Sequence, residues 1–169
     1  MFVYREKKRP RKHLTETGSP PYYHRSDCLI CRKQDGQGHE EAPPPGGYIV
    51  EGKHFLVEHA PLKLSNAGTV IVESRRHLLD FGEMTSAESA ELSAILKRLV
   101  PALKIATGAH RVYFLALMER VPHFHLWLIP KKKQGRLWGV AYLARRPVPA
   151  SSSAAEAISR KIRRQIDRA

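Results

Sequence analysis

Three side chains at alternate positions, His123, His125 and Trp127, stand in the run Val121-Pro122-His123-Phe124-His125-Leu126-Trp127-Leu128-Ile129-Pro130. These residue types suit a β-strand, and Pro122 and Pro130 bracket it where ladder donors are least needed. Alternation along a strand puts His123, His125 and Trp127 on one face and Phe124, Leu126 and Leu128 on the other. Two imidazoles and an indole over an apolar backing can form the floor of a site. An imidazole attacks phosphorus well once a hydrogen bond on its other ring nitrogen fixes the tautomer. The same residues also fit two surface histidines on an ordinary half-buried strand. The second chemical pair is Cys28-Leu29-Ile30-Cys31. Two thiolates at this spacing supply half of a tetrahedral zinc site; the alternative is two ordinary cysteines in a small apolar turn. No strand–Cys-x-x-Cys–helix pattern surrounds them, which speaks against a thioredoxin-type redox pair.

Elements able to position these groups are readable on both sides. Tyr48-Ile49-Val50 and His54-Phe55-Leu56-Val57 flank Gly52-Lys53 as a hairpin, and Gly68 to Ser74 reads as a third strand. Thr85 and Glu88 form a capping box that opens a helix to about Thr107, with Leu92, Ile95, Leu96, Leu99 and Leu103 on one stripe. Pro101 is expected to kink or restart that helix, and Gly108 to end it. Arg111 to Met118 reads as a fourth strand leading into the His-x-His strand. Three strands, a helix and two strands predict an α+β fold, an antiparallel sheet with a helix on one face. After Lys133 the chain is loop-like to Pro149. A C-terminal helix follows over Ser153 to Arg168, capped by Ser153 and Glu156 and carrying Ile158, Ile162 and Ile166 on one face. Pro43-Pro44-Pro45-Gly46-Gly47 is an irregular loop.

The 169 residues have room for one domain with a core, plus tails. A net charge of +13 favours polyanionic partners: nucleotides, nucleic acid or an anionic surface. The charge concentrates in Arg5 to Lys12, Lys131-Lys132-Lys133 and Arg160 to Arg168. No apolar run approaches a membrane span and the first residues lack a secretory signal, so a cytoplasmic protein without membrane attachment is expected. With two cysteines a disulfide framework is not expected, and the close pair points to metal or redox chemistry instead. The expected organisation is a basic arm over 1–25, the main domain over 26–133 and a basic extension with a helix over 134–169. The basic termini are candidate nucleic-acid contacts, and for each a solvated surface is the plainer reading.

Over roughly Ser26 to Lys133 the chain resembles the histidine-triad superfamily of nucleotide-binding hydrolases and transferases. Its signature is His-x-His-x-His, each x apolar, running into a hydrophobic pair and often a proline. His123 and His125 match the first two histidines and Leu128-Ile129-Pro130-Lys131 matches the tail, while Trp127 stands at the third position. The resemblance implies a five-stranded antiparallel sheet with a helix on one face, a homodimer, and reaction at the α-phosphorus of an adenosine-type nucleotide. It makes His125 the nucleophile that forms a nucleotidyl-histidine, with His123 and Trp127 flanking it. Trp127 offers an indole N–H and a stacking surface but no proton to transfer near neutral pH. Hexose-phosphate uridylyltransferases and dinucleoside-tetraphosphate phosphorylases carry glutamine there, so a third histidine is dispensable for nucleotidyl transfer. In bacterial-type members a Cys-x-x-Cys binds structural zinc with two histidines, matched here by His77 and His123. The implied zinc ligands are therefore Cys28, Cys31, His77 and His123. Glu58, after the second strand, stands where relatives hold the ribose. The usual glycine-containing loop before the signature is replaced by Leu117-Met118-Glu119-Arg120-Val121, in which Arg120 can supply a phosphate contact. A catalytically silent nucleotide sensor, with Trp127 stacking on a base, is the rival reading.

Overall fold

The computed structural model describes residues 27–36 and 44–168. The basic arm expected over 1–25 lies outside the described residues. Five strands form one antiparallel sheet: β1 (Val50–Glu51), β2 (Phe55–His59), β3 (Val70–Ser74), β4 (Arg111–Leu115) and β5 (His125–Lys131). Their spatial order is β1-β2-β3-β5-β4, so β5 sits inside the sheet and β4 is an edge. Among the described residues four α-helices accompany them: α1 (Leu29–Gln34), α2 (Ser86–Thr107), α3 (Gly139–Leu143) and α4 (Ser152–Ile166). The α+β class and the antiparallel five-stranded sheet with a covering helix are as expected.

Alternation divides the sheet into two chemically different faces. Phe55, Val57, Val70, Val72 and Leu128 point into the core, where Leu92, Ile95, Leu99 and Leu103 of α2 meet them. Each such side chain, fully buried, stabilises by about 2 kcal/mol. The opposite face carries Leu56 and Glu58 from β2, Ile71 and Glu73 from β3, and His125 and Trp127 from β5.

The capping box is present: the Thr85 hydroxyl accepts from the Glu88 amide while the Glu88 carboxylate accepts from the Thr85 amide. Pro101 does not restart α2, which runs unbroken for 22 residues to Gly108 in the left-handed conformation. Pro101 and Lys97 are both exposed, so water can serve the Lys97 carbonyl that the missing N–H leaves. The C-terminal helix is capped by Ser151, not Ser153, its hydroxyl accepting from the Ala154 amide. Ile162 and Ile166 join the same core as α2, with Ile158 packed beside them. Two short helices, α1 and α3, occupy stretches whose sequence reads as turn and loop. β5 begins at His125 rather than Val121. The Phe124 amide donates to the Leu78 carbonyl, and His123 turns away before the ladder starts. No described helix is long and apolar enough to cross a membrane.

Candidate active site and metal centre

His125 opens β5, and its ring is fixed by the main chain. Nδ1 lies 2.7 Å from the His123 carbonyl oxygen. A carbonyl only accepts, so Nδ1 carries the proton and Nε2 keeps its lone pair. That is the tautomer a nucleophilic imidazole needs. Trp127 follows two residues on, on the same face, opposite Ile71 of β3 and Leu115 of β4. Both His125 and Trp127 are half-buried, so the face is reachable.

Directly across the ladder from His125 is Glu73, and one diagonal step further, on β2, is Glu58. Diagonal neighbours on adjacent strands stand roughly 7–8 Å apart, a gap one cation can bridge. Lys33 of α1 does so. Its Nζ donates to Glu58 Oε1 at 2.7 Å and to both Glu73 oxygens at 2.8 and 2.7 Å. Burial opposes its charge, but the two carboxylates outweigh that and hold the ammonium above its ordinary pKa. The Tyr48 hydroxyl is pushed up by burial and by the negative charge of Glu58, which places it in the same electrostatic neighbourhood. Glu58 lies on β2 with its carboxylate oriented by Lys33. Sequence reasoning missed Lys33, Glu73 and Tyr48. A glutamate closing the apolar run Val70-Ile71-Val72 was the one available signal. Arg120 is exposed in the connection between β4 and β5. In that same connection Met118 takes φ 46°, a left-handed conformation usual for glycine and costly for a side chain.

At the end of the sheet the structure gathers Cys28, Cys31, His77 and His123, whose ligand atoms all lie within 4.8 Å of one another. His123 Nδ1 is 3.4 Å from Cys28 Sγ and 3.5 Å from Cys31 Sγ, and His77 Nδ1 is 3.5 Å from Cys31 Sγ. The sulfur–nitrogen edge of a tetrahedral zinc site is about 3.6 Å, so these atoms fit a single ion. The His123 ring is held for it from behind, with Nε2 donating to the Ser74 carbonyl at 2.7 Å and leaving Nδ1 to the metal. Two thiolates and two imidazoles fill the coordination sphere, so no place remains for water and the site is structural. His123, a candidate for both roles, thus faces the cysteines, and its backbone carbonyl is what touches His125.

No family model matches the sequence, and no curated protein matches it. Solved structures do. A hypothetical histidine triad nucleotide-binding protein from Sulfolobus tokodaii aligns at TM-score 0.64 and 19% identity, covering 83% of this chain and 93% of its own. A zinc-bound histidine triad family protein from Mycobacterium smegmatis aligns at TM-score 0.62 and 20% identity, over 84% and 94%. A histidine triad protein from Marinobacter aquaeolei aligns at TM-score 0.59 and 18% identity, over 72% and 88%. With a five-stranded antiparallel sheet in common and these structures alongside, the fold of this chain is the histidine-triad fold.

Proposed function

We propose that this protein hydrolyses or transfers at the α-phosphorus of an adenosine-type nucleotide, with His125 as nucleophile. The observation that carries the reading is the Nδ1–H to carbonyl bond between His125 and His123, which presents Nε2 as a free base. Nε2 donates its lone pair to phosphorus, the phosphorus–leaving-group bond breaks, and the leaving group departs with that electron pair. Attack by water or another acceptor then releases the nucleotidyl group, and the acceptor's proton goes to solvent. Trp127 contributes stacking and an N–H donor, while Arg120 supplies positive charge for the phosphate. Glu58 takes the ribose hydroxyls, its carboxylate held in place by Lys33. Zinc at Cys28, Cys31, His77 and His123 serves as the structural cofactor that fixes α1 against the sheet. The homodimer implied by the fold would use the edge strand β4, where Phe114 is exposed.

Trp127 favours a second reading, a nucleotide sensor, because an indole cannot protonate a leaving group. Incubation with a nucleoside 5′-phosphoramidate, read by product and by intact mass, decides between them. Turnover that vanishes in His125→Ala, with one nucleotidyl group trapped on the wild-type chain, supports the enzyme. Tight binding with no turnover and no adduct leaves the sensor.

A further inference from the structure

A groove of about 660 Å³ opens where β5 ends, between that strand, α3, the end of α2 and α4. Lys131, Lys132, Arg136 and Arg145 line it, and among the described residues no carboxylate does. Its wall is aromatic as well as cationic. The Arg145 guanidinium sits 4.9 Å from the Tyr142 ring centre and the Lys131 ammonium 5.5 Å from it. Leu137 also lines the groove, and the next residue, Trp138, is 78% exposed. A second groove of about 330 Å³ shares Ala106 with the first and is lined by Lys161, Arg164 and Arg168 of α4 and its C-terminal end, again with no carboxylate among the described residues. The two adjoin at Ala106 and together make a cationic track. From His125 to Lys131 along β5 is about 20 Å, so the track is a place apart from the nucleophile.

We infer that this track binds single-stranded nucleic acid through its phosphate backbone. Its charge is of one sign and runs across two joined grooves, which suits an extended polyanion better than one phosphate. Trp138, exposed next to Leu137 of the groove wall, offers an aromatic face on which an unpaired base can stack, while Tyr142 braces Lys131 and Arg145. A membrane surface is the poorer match. The apolar side of α4 is spent on the core, with Ile162 and Ile166 buried, so the helix offers lipid its charge but no face to insert. The inference does not depend on the chemistry assigned to His125.

The test is fluorescence anisotropy of the full chain with a labelled oligothymidylate of about 20 nucleotides, titrated at several salt concentrations. The triple variant Lys132→Glu, Arg136→Glu, Arg145→Glu is expected to bind at least about tenfold more weakly, with a shallower salt slope. Arg164→Glu with Arg168→Glu, both exposed, should weaken binding in the same direction and keeps the test alive if the triple variant misfolds. Reversing the exposed Lys53, Lys63 and Lys97, which lie off the track, should change affinity by less than about twofold. The inference is overturned if the wild type does not bind, or if both track variants bind like the wild type. It is equally overturned if the off-track reversal costs as much, if deleting residues 1–23 accounts for all binding, or if anionic vesicles compete as well as the oligonucleotide.

Discussion

Glu73 and His125 are direct partners across the β3–β5 ladder, one gripped by Lys33 and the other by the His123 main chain. The His125 ring is therefore oriented by backbone, while the acidic residue beside it is neutralised by a cation from a different element. Removing that cation leaves Glu58 and Glu73 buried side by side without their shared counter-charge. Lys33→Met is expected to destabilise the fold by about 3–5 kcal/mol, and Lys33→Arg by much less. Urea melts measure both. A loss under about 1 kcal/mol for the methionine variant would show that the pair relaxes into solvent.

Trp127 replaces a group that could carry a proton. If leaving-group protonation limits turnover, Trp127→His restores a titratable donor on the same face as His125. The expected gain is at least about tenfold in kcat for a phosphoramidate, with KM changed much less. The gain should fade in acid or base as the new imidazole leaves its working protonation state. An unchanged kcat would place the limit elsewhere, in the α-phosphate contacts or in product release.

Much of this was legible because it is local. The Thr85–Glu88 box and the stripe ending at Leu103 are short-range patterns, and so are the apolar runs that became β2 and β3. What stayed hidden depends on tertiary docking. Lys33 is one lysine in a strongly basic chain until α1 lands on the sheet and meets two carboxylates from separate strands. Ser151, Ser152 and Ser153 all offer a cap hydroxyl, and the Ala150 amide, donating to the Leu62 and Ser65 carbonyls, ties down the chain just before Ser151. His123 belongs to the strand by periodicity. Its ring leaves the pattern because Cys28, Cys31 and the Ser74 carbonyl hold it. His77 and His123 as partners of the cysteines came from family resemblance, since local spacing says nothing about ligands many residues apart.

Zinc is expected at one ion per chain, and its loss should reach beyond the site. α1 has six residues and carries Lys33, so too short a helix to stand alone is held down by its cysteines. Chelation, or Cys31→Ser, should lower Tm by at least about 10 °C and release α1 from the sheet. Metal analysis with a thermal melt reads the first effect, and amide exchange across Leu29–Gln34 reads the second. A chain that purifies metal-free with unchanged Tm would mean the four side chains pack well enough without the ion.

Acid should weaken the fold in two steps of the same sign. Burial would raise the Glu88 carboxyl, but hydrogen bonds from Arg76 and Thr85 overcome that and bring it from 4.5 to about 2. A group depressed on folding contributes stability above its unfolded pKa and loses it as pH falls towards the folded one, so this step lies between 4.5 and about 2. His59 is also depressed, because burial disfavours its charge. Its Nδ1–H donates to the Ala60 carbonyl and its Nε2 accepts from the Gly68 amide. Its contribution is therefore complete above 6.5 and declines as pH drops below that value. Glu88→Gln should cost about 3 kcal/mol at neutral pH, since it also strands Arg76, and should flatten the lower step while leaving the upper one. Denaturant melts at a series of pH values resolve both. A Glu88→Gln profile that parallels the wild type below 4.5 would assign the acid loss to other carboxylates.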